Sequence, residues 1–279
     1  MSSRNNVILP STRARMAKFL RFPAQSTMLS SGTLLTKILR FPLSLIPPEA
    51  EVRILRGPLR GKRWIVGAGP NACWVGTYEV ARVRAFANAV ARGAVVYDVG
   101  AHVGIYSLLA SLRVGPSGRV YAFEPLDRNL RYLRRHVTLN NLQNCVILEE
   151  AVCNREGTLP FSAAAWSSSM AHLSSDGETL VPSTTLDNCI YGEKGFRPPD
   201  VVKIDVEGAE FEVLEGASRA LSEFHPTIFL EVHGTQLHAE CRAYLLTKGY
   251  SIEEGYGQLM ATWRSVTAIP NGGRGLGRK

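Results

Sequence analysis

Residues 95–107, Val-Val-Tyr-Asp-Val-Gly-Ala-His-Val-Gly-Ile-Tyr-Ser, restrict what this chain can fold into more than any other stretch. Val95, Val96 and Tyr97 form a short apolar run that stops at Asp98. Such a run reads as a strand buried on both faces of a parallel sheet. Gly100 and Gly104 follow, and then a helix-like run over 105–112. Glycines at a strand-to-helix turn let the backbone approach a ligand closely, because no Cβ stands in the way. The stretch therefore predicts the first βα turn of a fold that binds a nucleotide-type cofactor.

The spacing narrows the cofactor. A dinucleotide-binding turn reads G-x-G-x-x-G and sets a pyrophosphate on a helix N-terminus. Here the pattern is D-x-G-x-x-x-G. A carboxylate at that place repels a pyrophosphate but suits a cofactor bearing an ammonium and hydroxyls, as S-adenosylmethionine does. Arg-Val-Tyr-Ala-Phe at 119–123 reads as the next strand and ends at Glu124. Glu124 lies about where an acid binds ribose hydroxyls in this fold class.

Composition excludes several alternatives. The chain has 279 residues, 45% hydrophobic and 20% charged, in the range of a globular protein built on one large domain. No apolar run approaches the ~18 residues that span a bilayer, and the short Val7-Ile-Leu9 run is too brief for a signal-peptide core. A cytoplasmic location is the expectation. Cys73, Cys145, Cys153, Cys189 and Cys241 are scattered without a C-x-x-C pair. That argues against a disulfide framework and a zinc site and for reduced thiols. No metal ligand set is read. The formal net charge is +8, yet residues 1–64 alone carry twelve Lys or Arg against two acids. The basic charge thus sits mostly outside the presumed core, and no basic strip interleaved with aromatics marks a nucleic-acid face on the body.

Residues 1–48 repeat a small theme, Lys18-Phe-Leu-Arg-Phe-Pro23 and Lys37-Ile-Leu-Arg-Phe-Pro42. Each proline should end a short helix. The segment reads as a basic, amphipathic extension, a candidate for peripheral membrane or protein docking. Residues 51–66 alternate about Gly57-Pro58, which predicts a hairpin. Thr77 is expected to cap a helix over 78–92, which would cover the cofactor pocket and bring Trp74, Tyr78 and Glu79 near it. A helix over 126–140 and a strand at 145–148 follow. The strand ends at Glu149-Glu150-Ala151, where an acid can accept from an adenine amine; Glu150 is preferred and Glu149 is the alternative. Residues 152–187 break the alternation and read as an inserted hairpin or lid, with Trp166, His172 and a Ser cluster as candidates.

The fourth strand, 201–205, leads into Asp205, Glu207 and a helix to about 221. These carboxylates stand at the carboxyl end of the sheet, where ligands of open α/β sheets bind, and can take a proton from a substrate hydroxyl. Lys203 on the same strand is expected to meet one of them. The fifth strand, 227–230, ends near His233, a second candidate base. A helix over 236–248 and two strands, 250–252 and 259–263, complete a sheet whose seventh strand runs antiparallel. The Gly-rich basic tail, 271–279, is expected to be disordered.

Three segments together resemble the FkbM family of S-adenosylmethionine-dependent methyltransferases: Asp98 to Ala110, Val120 to Leu133, and above all Lys203-Ile-Asp-Val-Glu-Gly-Ala-Glu210. The resemblance spans roughly residues 93–233. It implies O-methylation of sugar or polyketide hydroxyls, cofactor contacts at Asp98, Gly100, Gly104 and Glu124, and a substrate edge at Asp205 and Glu207. His102 stands where the family usually has Asn, and a histidine there can still donate to the cofactor carboxylate or to backbone.

The expectation is an α/β class I methyltransferase (Rossmann-like) fold: a mostly parallel seven-stranded sheet with helices on both faces and a small N-terminal hairpin and helix extension. The expected organisation is an extension over 1–48, a hairpin and cap helix over 49–92, the methyltransferase domain over 93–270, and a tail over 271–279. The cofactor would contact Asp98, Gly100, His102, Gly104, Glu124, Glu150 and Ala151. Asp205 or His233 would be the base, with Glu207 orienting a small-molecule or glycan hydroxyl. Two alternatives stay open: a methyltransferase acting on RNA or protein, and a non-catalytic scaffold that binds the cofactor. A nicotinamide enzyme is disfavoured by the glycine spacing.

Overall fold

The computed structural model describes residues 45–162, 172–173, 179–255 and 258–263. Most of the expected docking extension, Trp166, the Ser cluster and the basic tail lie outside the described residues, and His172 is described in its backbone alone.

Glu51–Arg53 (β1) and Arg63–Ile65 (β2) pair antiparallel, as the alternation about Gly57-Pro58 predicts. Residues counted with the extension are tied to this hairpin: Gly67 N donates to Pro48 O over 2.6 Å, and Ile46 packs on the core beside it. Asn71–Val75 (α1) is a short helix that the sequence reading missed. Gly76 ends it at φ 80, and an added Cβ there would lie 2.2 Å from the Arg56 carbonyl oxygen. Helix end and hairpin loop meet backbone to backbone, which requires glycine.

Val80–Ala89 (α2) starts later than expected, and Thr77 is not its cap. Glu79 holds the N-cap position at φ 39 without a side-chain cap bond. Its carboxylate instead accepts from Tyr106 Oη and Arg82. Thr77 precedes the helix by too many residues to reach its first N–H groups.

The alternation then runs as read: Val95–Val99 (β3), Ile105–Val114 (α3), Arg119–Phe123 (β4), Asp127–Leu139 (α4) and Cys145–Leu148 (β5). Ala151–Val152 (β6), Gly157–Ser162 (β7), His172–Leu173 (β8) and Thr179–Thr184 (β9) form a separate four-stranded sheet in the order β6-β9-β7-β8. The predicted hairpin is its β7–β9 pair, while β6 pairs parallel with β9. Leu186–Tyr191 (α5) follows, its first turn capped by Thr185, whose hydroxyl accepts from Asn188 N. Val201–Ile204 (β10) leads to Glu210–Glu215 (α6) and Ser218–Phe224 (α7). The sequence reads these as one helix. The break falls at Gly216, where an added Cβ would lie 2.0 Å from Cys153 O, so passage of the β6–β7 connection sets it. Thr227–Glu231 (β11), Thr235–Thr247 (α8), Tyr250–Gly255 (β12) and Gln258–Trp263 (β13) close the chain.

The main sheet has the order β12-β13-β11-β10-β3-β4-β5. Strand β13 runs antiparallel to β11 and β12, and the other pairs are parallel. This is the expected α/β sheet of the class I methyltransferase type. Alternate residues of β3 face opposite layers. Val96 joins Trp64, Phe86 and Leu108 beneath the hairpin, α2 and α3. Val95, Tyr97 and Val99 join Leu214, Leu221 and Leu245 beneath α6–α8. Each such fully buried side chain contributes about 1.5–3 kcal/mol relative to exposure. The five cysteines are free thiols. Among the described residues no helix is long and apolar enough to cross a membrane.

Strand order reverses between β3 and β10, and ligands of open α/β sheets bind at such a switch point. Their register sets Val99 beside Ile204, so the glycine turn after β3 and the acidic run after β10 emerge side by side.

Candidate active site

A cavity of about 300 Å³ opens at that point. Its first wall is the turn after β3. Gly100 and Gly104 adopt φ 73 and 93, and His102 between them adopts φ 51, a left-handed conformation uncommon for a residue with a Cβ. The turn is braced from two sides. His102 N donates to Glu124 Oε2 over 2.8 Å. Lys203 Nζ donates to Gly100 O over 2.7 Å.

Glu124 stands at the end of β4, where strand periodicity predicts it, and is 4% exposed. Its other oxygen accepts from Leu126 N at 3.0 Å and Asn129 Nδ2 at 3.1 Å. Burial pushes its carboxyl above the usual range, against the pull of these three donors. Glu150 and Ala151 line the cavity farther along, with Phe161 of the small sheet. Glu150 pairs with Lys194. Glu149, the alternative, pairs with Arg134 at the surface instead.

Asp98 is placed differently from the expectation. It is fully buried and is not part of the cavity wall. Ser107 Oγ donates to it over 2.5 Å, and Lys203 Nζ lies 3.5 Å from its Oδ1. A strand-end acid flanked by a helix hydroxyl and a buried amine is drawn under the turn, and it reaches the cavity only through Lys203. Burial alone would lower the Lys203 amine, but Asp205 and Asp98 outweigh it and hold it above its ordinary value.

The second wall carries Asp205, Glu207, Glu231 and His233. Asp205 Oδ2 lies 3.5 Å from Lys203 Nζ. Glu207 adopts φ 56, and burial pushes its carboxyl upward. His233 Nδ1 lies 2.9 Å from Glu210 Oε1, and its Nε2 lies 3.3 Å from Glu207 Oε2. The Glu210 bond, with Glu207 beside it, overrides burial and pushes the imidazole up to about 9. His102 goes the other way: burial, helped by Lys203, lowers it to about 4. One histidine of the cavity is thus an imidazolium at neutral pH and the other a neutral ring.

Glu231 ends β11 and accepts from Arg82 at 2.7 Å; Arg82 also donates to Glu79 at 3.1 Å. Tyr78 and Glu79 line the cavity as expected. Trp74 does not, and its indole N–H is donated to Asn71 instead. The sequence reading missed Arg82, Tyr106 and Glu231, and passed over Glu210 as a position in a motif. Glu231 had a usable signal, a strand-end acid at the same edge as Asp205. Arg82 and Glu210 had none, because their partners lie far away in sequence or were assigned to other roles.

The residues present suit S-adenosylmethionine. The wall offers carboxylates for hydroxyls and an ammonium, a backbone turn without a Cβ at its two ends, and apolar Phe123, Leu126 and Val152 for a flat base.

Two curated relatives are similar over half of this chain. One is a hexuronic acid methyltransferase of Haloferax volcanii, 29% identical over 142 residues. The other is the 31-O-demethyl-FK506 methyltransferase of Streptomyces tacrolimicus, 27% identical over 172 residues. The matched part spans 56% and 66% of the length of these relatives. The methyltransferase FkbM domain model matches residues 98–252, from the buried acid of the first turn into β12, which takes in both walls of the cavity. The chain belongs to the FkbM methyltransferase family.

Proposed function

We propose that this protein transfers a methyl group from S-adenosylmethionine to a hydroxyl of a sugar, glycan or polyketide-type small molecule. The observation that carries this reading is the single cavity in which the glycine turn and Glu124 adjoin an edge of three carboxylates, Asp205, Glu207 and Glu231. The names of the two relatives support a small-molecule or sugar acceptor.

S-adenosylmethionine, when bound, supplies a methyl on a sulfonium, which needs no further activation. The chain's own task is then to align the acceptor oxygen and remove its proton. Asp205 takes this proton as the oxygen forms its bond to the methyl carbon, and the sulfur–carbon pair stays on sulfur. His233 is the weaker candidate base, because Glu210 and Glu207 keep it protonated at neutral pH. Its role is to hold Glu207 toward the acceptor. Lys203 holds Asp205 and the glycine turn in one geometry.

Calorimetry of the full chain with S-adenosylmethionine and S-adenosylhomocysteine tests the cofactor assignment. Both should bind, and Glu124→Ala should weaken both at least tenfold. A protein that binds neither ligand refutes the reading. Turnover of a panel of glycosides and macrolide alcohols by the binding-competent protein then tests the acceptor class.

A further inference from the structure

We infer that a second pocket, between the N-terminal hairpin and α2, holds the non-reacting part of the methyl acceptor, and that this part is apolar and carries an anionic group, a phosphate or a carboxylate, bound by Arg56 and Arg84. The inference rests on the proposed methyl-transfer reading and names a class of acceptor for it. The pocket has a volume of about 210 Å³. Ile54, Pro58, Leu59, Val80, Val83 and Ile105 give it an apolar wall, and Arg56, Thr77 and Arg84 stand among them. Cys73, Tyr78 and Ile105 line this pocket and the first cavity alike. The two are therefore neighbours across single side chains.

The shared wall stands at the acceptor end of the first cavity. Tyr78 is hydrogen-bonded to Glu79 and lies in the field of Asp205, the proton acceptor. Arg82 ties Glu79 to Glu231 of the same edge. A cofactor laid on the glycine turn, Glu124 and Glu150 takes up most of the first cavity, about 300 Å³, and leaves little beyond space for the reacting hydroxyl. Ligand pockets commonly measure about 300–1,000 Å³. The rest of an acceptor has to extend out of the first cavity, and the second pocket adjoins it there.

Charge decides which group enters the second pocket. Glu79, Glu124, Glu150, Asp205, Glu207 and Glu231 line the first cavity, and no carboxylate lines the second. An anion is repelled by the one and attracted by the other, which orients the molecule that carries it. A guanidinium meets carboxylate or phosphate with paired N–H groups. Both arginines are exposed, and among the described residues neither has a hydrogen-bond or ion-pair partner. Their mounts are fixed. Leu55 N, next to Arg56, donates to Trp74 O over 2.9 Å, and Arg56 O is packed so closely on Gly76 that an added Cβ there would lie 2.2 Å away. Arg84 stands one turn after Val80 on α2.

The test is calorimetry of the full chain in excess S-adenosylhomocysteine, whose own binding is measured on the same samples. The probes are ω-hydroxyalkyl phosphates, ω-hydroxyalkanoic acids and the α,ω-diols of matching length. At least one anionic series should bind about tenfold tighter than the diols, and the tighter of the two names the anion. Arg56→Gln and Arg84→Gln should each weaken it about threefold, and the double variant about tenfold, with diol affinity unchanged. Thr77→Trp, which narrows the pocket from an exposed position, should weaken all three series. Arg219→Gln, an exposed arginine of α7 that pairs with Glu223, should change nothing. No binding of any probe, equal affinity for diols and anions, or an anionic preference that the arginine variants retain overturns the inference. If S-adenosylhomocysteine still binds in that case, the methyl-transfer reading stands with another kind of acceptor. If the probes bind as expected and S-adenosylhomocysteine does not, the pocket stands as an anion site and the methyl-transfer reading falls, taking the acceptor role with it.

Discussion

At Gly100 the chain turns with φ 73 and passes so close to β10 that an added Cβ would lie 1.9 Å from the Asp205 carbonyl oxygen. Gly208, next to Glu207, has φ 112 and nothing within 4 Å of an added Cβ. The contrast yields a prediction. Gly208→Ala should cost only backbone strain, about 1–3 kcal/mol. Gly100→Ala carries similar strain plus a backbone collision that no rotamer relieves, worth about 1–3 kcal/mol more. Urea midpoints of the two variants would read the difference, and equal midpoints would refute the claimed close approach. A second prediction concerns Asp205. As the proton acceptor, it should lose about 10²–10⁴ in kcat when changed to Asn, with cofactor affinity near that of the parent. Near-native turnover of Asp205→Asn would reassign the base. Sequence spacing put Gly100, Glu124 and Asp205 at strand ends, where the βα pattern dictates position, and all three line the cavity. It misplaced Asp98, since a strand-end acid looks the same in sequence whether it faces the ligand or a buried lysine. Only the fold, which brings Lys203 beneath the turn, distinguishes the two.

Two side chains one helical turn apart, on the last turn of α4 and at its C-cap, clasp the N-terminal hairpin, and the register of the pair is a matter of elements rather than of single residues. Asn140 accepts from Arg63 N at 2.8 Å and donates to Arg63 O at 2.9 Å. His136 Nε2 accepts from Ile65 N at 3.1 Å, which leaves Nδ1–H to donate to Val103 O at 2.8 Å. Trp64 stacks on the same imidazole, with ring centroids 3.9 Å apart. The clasp thus joins hairpin, helix and glycine turn through a neutral histidine. Burial lowers it from 6.5 to about 4. The unfolded chain therefore binds a proton more readily than the folded one. The contribution to stability is complete above pH 6.5 and declines as pH falls toward 4, by about 3 kcal/mol in all. The parent should lose more stability than His136→Gln between pH 7.5 and 4.5, as read from urea midpoints. Parallel curves would count against the neutral clasp. The hairpin itself was legible from alternation, and the clasp was not, because its partners stand 71 and 77 residues apart. The same limit explains the shortened α2, whose N-cap residue Glu79 serves the cavity, and the break between α6 and α7, which a distant backbone imposes.

The cavity belongs to the molecule as a whole, because no one layer encloses it. Gly69 and Tyr78 come from the N-terminal elements, Gly100 and Glu124 from the centre of the sheet, Phe161 from the small sheet, and His233 from beyond β11. The order of βα units made it readable that the strand-end acids share the carboxyl edge of one sheet, while the strand reversal between β3 and β10 is seen only in the structure. The small sheet was readable in part, as an inserted hairpin or lid, whereas its parallel β6–β9 pair and the place of Phe161 in the wall were not. A ligand that touches all of these segments binds the folded chain and not the unfolded one. Its effect on stability is then set by mass action, about 2.7 kcal/mol at a hundredfold excess over Kd. For a folded body of this size each kcal/mol moves Tm by about 2–4 °C, so S-adenosylhomocysteine should raise Tm by about 5–10 °C at that excess. If the site unites the layers, calorimetric unfolding should stay a single transition that moves as one. A ligand-dependent shift confined to one of two separate transitions would instead mean that the hairpin side or the small sheet folds apart from the cavity. In that case their residues would be bystanders to binding.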